Sequence, residues 1–277
     1  MQVLPHTGVW PIVKHYLFLE NASMAAGQIR LFADGHTGIV FLPEKQLIAG
    51  IDSKGLPVSL PESFLHGQIS RHKDILIPNG LRIVIAVLQP AGATLLTGVP
   101  ATHLKEHIID AAALLGSDAA CLHDQLKKTA ISNSQKCQLL NSFFAKLMTR
   151  HLHPEQWLIN ASLQYIYSGK GLHSIAQLVK HTGYTERHLN RKFNEWVGLS
   201  PKTYSNIVQL HYFLKLLKNA APGTSYTSLG YDAGYADQSH LIKSFKKITG
   251  ITPTAYTRKT QQLAVNLIRP LAAAVRQ

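Results

Sequence analysis

Two groups of side chains in this 277-residue chain have the types and spacing to do chemistry. The first is polar and basic. Arg187, Asn190, Arg191 and Asn194 recur at helical intervals, and Gln238, Ser239, His240 and Lys243 gather in a second segment downstream. Guanidinium, amide, hydroxyl, imidazole and ammonium groups on one helix face suit base edges and phosphates. The second group is His103-Leu-Lys-Glu106-His107, which fits the inverted zinc-peptidase pattern H-x-x-E-H, two metal-binding His and a basic Glu. That chemistry needs the segment to be helical and a third ligand from elsewhere, and nothing in the sequence marks one. In a chain with 15 His such short patterns arise by chance, and a solvated helix face is the competing reading. Cys121-Leu-His and Cys137-Gln-Leu carry no active-site motif of the kind alkyl-transfer repair proteins need, and two cysteines are too few for a disulfide framework.

The elements that must position the first group are written twice. Phe193-Asn-Glu-Trp-Val-Gly198-Leu-Ser-Pro201-Lys-Thr-Tyr204 is echoed by Phe245-Lys-Lys-Ile-Thr-Gly250-Ile-Thr-Pro253-Thr-Ala-Tyr256. Gly183-Tyr184 and Gly234-Tyr235 lie upstream, each between a short apolar helix pattern and a longer one. In the first copy Ser174 is an N-cap candidate, Ile175, Leu178 and Val179 form a buried face, and Gly183 makes the turn. Thr185 caps the next helix, whose buried stripe is Leu189, Phe193, Trp196 and Val197. Gly198 and Pro201 stop it. In the second copy Tyr226 and Leu229 pack the first helix, Gly234 turns, and Leu241, Phe245 and Ile248 are the buried stripe. There the turn is one residue longer. The pattern predicts a duplicated helix-turn-helix.

Residues 160–259 resemble the DNA-binding domain of the AraC/XylS family of bacterial transcription regulators, and the stretch from Gly234 to Tyr256 resembles that family's signature almost position by position. The resemblance implies two helix-turn-helix units joined by a long helix, each placing its second helix in one of two successive major grooves. It implies double-stranded DNA as partner, with Arg187, Asn190 and Arg191 facing bases in the first unit, and Gln238, Ser239, His240 and Lys243 in the second. Two departures touch helix packing rather than groove contacts. Where the family usually has Ala before the turn glycine, this chain has Val179 and Gly230; where it often has Arg early in the linker helix, this chain has Gln209. Charge follows the motifs. Residues 160–260 hold 13 Lys or Arg and 4 Asp or Glu, a net of +9, while residues 1–159 hold 13 and 11, a net of +2.

The remainder predicts an α+β chain. Residues 16–19, 27–32, 37–42, 46–51, 63–69, 74–78 and 81–88 are short β-rich runs separated by turn residues such as Asp34-Gly35, Ser53-Lys-Gly55 and Asn79-Gly80. Their spacing predicts a small barrel or sandwich. Regulators of this family often carry a cupin-like barrel here as a sensor, and the segment around Phe32 to Phe41 resembles an uncharacterised N-terminal domain found in some of them. The His-x-His…Glu…His spacing of metal-binding cupins is missing, and His66 and His72 are isolated, so no metal or other cofactor is expected. Residues 101–155 predict a helical pair, with stripes at Leu104, Ile108, Ala111/Ala112, Leu115 and at Leu139, Leu140, Phe143, Phe144, Leu147. These stripes either cover the β domain or form a dimer interface, for which Phe143, Phe144 and Leu147 are the candidates. The expected layout is therefore 1–100 sensor-like, 101–155 helical pair, 156–260 DNA-binding, and 261–277 a C-terminal tail. The expected function is transcription regulation, with a small-molecule effector, homodimer formation and RNA polymerase as further partners. A DNA-binding domain fused to an enzyme is the alternative. With no signal-peptide pattern and no apolar run of about 18 residues, a cytoplasmic protein without a membrane partner is expected.

Overall fold

A computed structural model describes residues 1–270 except 45–47, 53, 129–130, 149–155, 222 and 259. The expected strand positions 46 and 47, the turn residue Ser53, the end of the helical pair at 149–155 and the final residues 271–277 lie outside the described residues. In chain order the N-terminal part contains β1 (Gln2–Val3), β2 (Val13–Asn21), β3 (Gly27–Phe32), β4 (Gly38–Phe41), β5 (Ala49–Ile51), β6 (Pro57–Ser59), β7 (Ser63–His66), β8 (His72–Ile77) and β9 (Leu81–Leu88). Then come α1 (Gly92–Thr97), α2 (Ala101–Leu104), β10 (Ile108–Asp110), α3 (Ala111–Leu115), α4 (Ser117–Leu126) and α5 (Asn133–Met148). The C-terminal part holds α6 (Gln156–Ser168), α7 (Ile175–Thr182), α8 (Glu186–Val197), α9 (Pro201–Lys218), α10 (Tyr226–Asp232), α11 (Gln238–Thr249) and α12 (Pro253–Arg258), followed by β11 (Thr260–Ala264) and β12 (Leu267–Pro270).

All strand pairs are antiparallel, in two sheets ordered β1-β2-β9-β4-β7-β10 and β11-β12-β3-β8-β5-β6. They stack as an open sandwich, so of the two expected forms the sandwich is realised and a closed barrel is not. The β9 sequence, an almost unbroken apolar run, is explained by burial on both faces. Leu81 and Ile83 point into the space between the sheets with Met24, Ile29, Leu42, Ile77 and Leu267. Val84, Ala86 and Leu88 point the other way, into a core shared with the helices.

Three expectations are corrected. The stripe from Leu104 to Leu115 is not one helix. α2 ends at Leu104, Glu106 takes φ +61, and Ile108–Asp110 pair with β7. The Glu106 carboxylate accepts from the Ser70 backbone N–H and hydroxyl, both at 2.9 Å, and pairs with Lys73 at 3.0 Å, which pins the break. The second correction concerns Phe143, Phe144 and Leu147, the dimer candidates. They are buried in the chain's own core, where Phe144 lies 6.3 Å from the Tyr16 ring. The α5 stripe covers the first sheet. Third, within the described residues of the expected tail, β12 pairs with β3, Leu267 opposite Leu31 and Ile268 opposite Arg30, and extends the N-terminal sandwich.

Candidate nucleic-acid interface

Each predicted reading unit forms as a pair of helices with the predicted punctuation. Ser174 caps α7 by accepting from Gln177 N, and the Gln177 side chain closes the capping box. Gly183 ends α7 at φ +74, a conformation that only glycine takes cheaply. Thr185 accepts from His188 N and starts α8. In the second unit Ser225 starts α10, and Asp237 caps α11 by accepting from His240 N at 2.7 Å. From the turn glycine to the first helical residue is one position longer here than in the first unit, as the spacing predicts. Gly198 and Gly250 close α8 and α11 in the same left-handed conformation. α9, the 18-residue helix between the units, begins with Ser200 as cap and Pro201 as its first residue.

The buried stripes fix which face of each helix is free. In α8, Leu189, Lys192, Phe193, Trp196 and Val197 are buried, and in α11, Leu241, Phe245, Ile248 and Thr249. Arg187 and Arg191 are exposed and Asn190 is half-buried on the opposite side of α8. Gln238, Ser239, His240 and Lys243 are all exposed on α11. The structure thus gathers the sequence-predicted residues into two sets, one per unit. Two of the polar side chains also work locally. Asn194 donates its amide to Asn190 O at 2.8 Å, and His240 lies edge-on to Tyr235 at 5.3 Å.

A ladder of rings beside α8 escaped the sequence reading. Trp157 lies 6.0 Å from Tyr184, and Tyr184 stacks 4.8 Å from His188, whose Nδ1 is 3.5 Å from an Arg191 nitrogen. Trp157 is remote in sequence, so only the Tyr184–His188 pair at i, i+4 could have signalled it. The packing departures resolve simply. Gly230 lets α10 cross α11 closely, since a Cβ there would sit 3.1 Å from Leu241. Gln209 donates to Ala233 O at 2.9 Å and ties α9 to the end of α10.

The zinc pattern does not assemble. His103 lies in α2 and His107 beyond its end, with its Nδ1 2.8 Å from Lys105 O, while Glu106 is spent on Ser70 and Lys73. Burial raises the Glu106 carboxyl, but the Ser70 N–H and Lys73 outweigh it and hold it below the ordinary value. Among the described residues, no three His, Cys, Asp or Glu are placed to hold a metal ion. Cys121 is exposed on α4, and burial raises the half-buried Cys137 thiol. No helix among the described residues is long and apolar enough to cross a membrane.

Comparison with known proteins agrees with this geometry. A protein-family model described as "Helix-turn-helix domain" matches residues 178–259, and one described as "Domain of unknown function (DUF6597)" matches residues 1–110. Among solved structures, the chain resembles ToxT of Vibrio cholerae. An apo variant of ToxT is 12% identical with a TM-score of 0.51, covering 91% of this chain and 98% of that one. Wild-type ToxT bound to an unsaturated fatty acid is 13% identical with a TM-score of 0.51, covering 87% and 94%. At this identity the likeness establishes the fold. The duplicated helix-turn-helix unit, its family match and the match of the N-terminal domain together make the chain similar to the DNA-binding regulators of the AraC/XylS family.

Proposed function

We propose that the chain is a sequence-specific transcription regulator that reads two successive major grooves of duplex DNA. Arg187, Asn190 and Arg191 on α8 and Gln238, Ser239, His240 and Lys243 on α11 make the base-edge contacts. One observation carries this reading: both helices bury one stripe and leave these side chains at the surface, in the part of the chain with net charge +9.

The N-terminal domain senses a small molecule in this reading. The fatty acid bound to ToxT supports an effector of that size. In this chain the space between the sheets is filled by side chains, so the effector enters from the surface. A cavity of about 280 Å³ beside the start of α5 is lined by Arg82, Lys127, Lys128 and Lys136 with Glu20 and Glu44, where Arg82 pairs with Glu44, Lys136 with Glu20 and Lys127 with Glu62, and it offers a polar place for such an effector. Pairing of two chains on repeated half-sites and contact with RNA polymerase, in the cytoplasm, belong to the same reading. Their surfaces lie away from the buried Phe143, Phe144 and Leu147. No catalytic role is assigned, because His103, Glu106 and His107 do not share a helix.

The test is Arg191→Ala with the full chain, on duplexes that the protein selects from random-sequence DNA. Loss of a base-edge contact lowers affinity by about 1–3 kcal/mol on the selected duplex and relaxes one base-pair preference. Equal loss on random DNA would reduce Arg191 to a phosphate contact. No loss would refute the groove assignment.

A further inference from the structure

The two reading units and the helix between them all rest on the N-terminal domain, at three separate places. The first unit rests through the end of α8. Thr94 Oγ1 donates to Trp196 O at 3.2 Å, and a Cβ on Gly198 would lie 3.2 Å from Ala101 O. α9 rests on the β3–β4 loop. His211 Nε2 donates to Ala33 O at 3.0 Å, and a Cβ on Gly35 would be 2.7 Å from the Tyr204 ring. The second unit rests through the end of α11. A Cβ on Gly250 would be 2.5 Å from both Arg30 Nη1 and His72 Cε1. Arg30 reaches toward Thr249 O at 3.5 Å while Asp74 holds its guanidinium at 2.6 and 2.7 Å.

The symmetry of this mount is informative. Gly198 and Gly250 are equivalent positions of the duplicated segment, and each closes a reading helix. The same feature of both units is therefore seated against the N-terminal domain. The chain then runs from the second unit into β12, which hydrogen-bonds to β3, the strand that carries Arg30. Phe32, fully buried at the end of β3, packs between the Tyr256 ring of α12 at 6.2 Å and the His211 ring of α9 at 6.0 Å.

We propose that the N-terminal domain fixes the separation and angle of the two reading helices, and so sets the base-pair spacing at which the protein accepts its two half-elements. This rests on the DNA-reading function proposed above. Thr94, Arg30 and His72 are positioning residues: they touch no DNA and act through the ends of α8 and α11. The ligand is a duplex with two elements at one fixed spacing.

The experiment uses the full chain and the duplex it selects from random-sequence DNA. Binding is compared with that to the same duplex carrying two extra base pairs between the two protected elements. The unaltered protein discriminates by about tenfold or more. Gly198→Ala and Gly250→Ala each push one unit off the mount. They reduce that discrimination to about twofold, while binding to a duplex holding one element is unchanged. Gly55→Ala is the control, because Gly55 also has φ +80 but nothing within 4 Å of a Cβ. It keeps the full discrimination. If an alanine at either cap prevents folding, Thr94→Val and His72→Ala remove contacts without filling space, and the same criterion applies. Folded variants that keep the spacing preference would overturn the proposal and leave α9 alone as the ruler. Failure of the full chain to select any duplex would instead sink the DNA-reading function itself.

Discussion

At the contact between the N-terminal domain and α9, a few ionisable side chains face one another: Lys14 and His15 of β2, Asp34 and His36 of the β3–β4 loop, His66 of β7, and Tyr204 and His211 of α9. Their hydrogen bonds dictate protonation states. His36 Nδ1 lies 2.9 Å from Leu88 O and so carries the proton, leaving Nε2 to accept from the Lys14 ammonium at 2.7 Å. Burial first, then Lys14, hold His36 down at about 4, and burial lowers His66 and His211 as well. Burial pushes Asp34 up, but His36, His211 and Lys14 outweigh it and keep it ionised below the ordinary range. A histidine whose folded value is depressed contributes stability that is complete above its unfolded value near 6.5 and is lost as pH falls toward the folded value. The urea midpoint of unfolding is therefore expected to drop between pH 7 and pH 5, before Asp34 begins to protonate. A midpoint that is flat or rises over that interval would show that these imidazoles are not held neutral.

At the scale of elements, the hairpin β11–β12 ties the C-terminal end to the N-terminal sheet. Phe32 N donates to Asn266 O at 3.0 Å, Tyr256 hydroxyl donates to Val265 O at 3.0 Å, and Leu267 and Ile268 are buried. Burying two such side chains is worth about 1.5–3 kcal/mol each. Ending the chain at Arg258 is expected to lower Tm by about 5–10 °C for a protein of this size. A truncated chain that melts with the full one would make the hairpin an ornament of the fold. Elements with local signals were legible in the sequence. The caps at Ser174 and Thr185, the turn at Gly183 and the seven β-rich runs are each specified by neighbours within a few residues, and the polar faces that α8 and α11 leave outside follow from their buried stripes. The hairpin was not legible, because β12 is completed only by β3, more than two hundred residues away, and its own sequence is short and weakly patterned. β10 was misread for a related reason. Ile108 falls in register with a helical stripe, and only the open edge of β7 and the Glu106–Ser70 contact decide for a strand. The α5 stripe was legible as apolar but silent on its partner, since a face that covers a sheet and a face that meets a second chain have the same composition.

In the whole molecule, one hydrophobic core runs from Tyr16 and Phe32 through Phe144 to Phe193, Phe213 and Phe245, so the sensor-like domain and the reading units are packed together rather than strung on a linker. That packing leaves Arg187, Arg191, Gln238, Ser239 and Lys243 at the surface on two helices held by one body. Both helices are therefore expected to enter DNA together. The most direct measurement is a hydroxyl-radical and methylation-protection footprint of the full chain on its selected duplex, repeated across a salt series. Two protected major-groove patches are expected, one helical turn or roughly 10.5 base pairs apart. Protection of guanine N7 in one patch should be lost with Arg191→Ala, and in the other with Lys243→Ala, with affinity falling steeply as salt rises. A single protected patch, protection confined to the minor groove, or binding indifferent to salt and to both substitutions would contradict it.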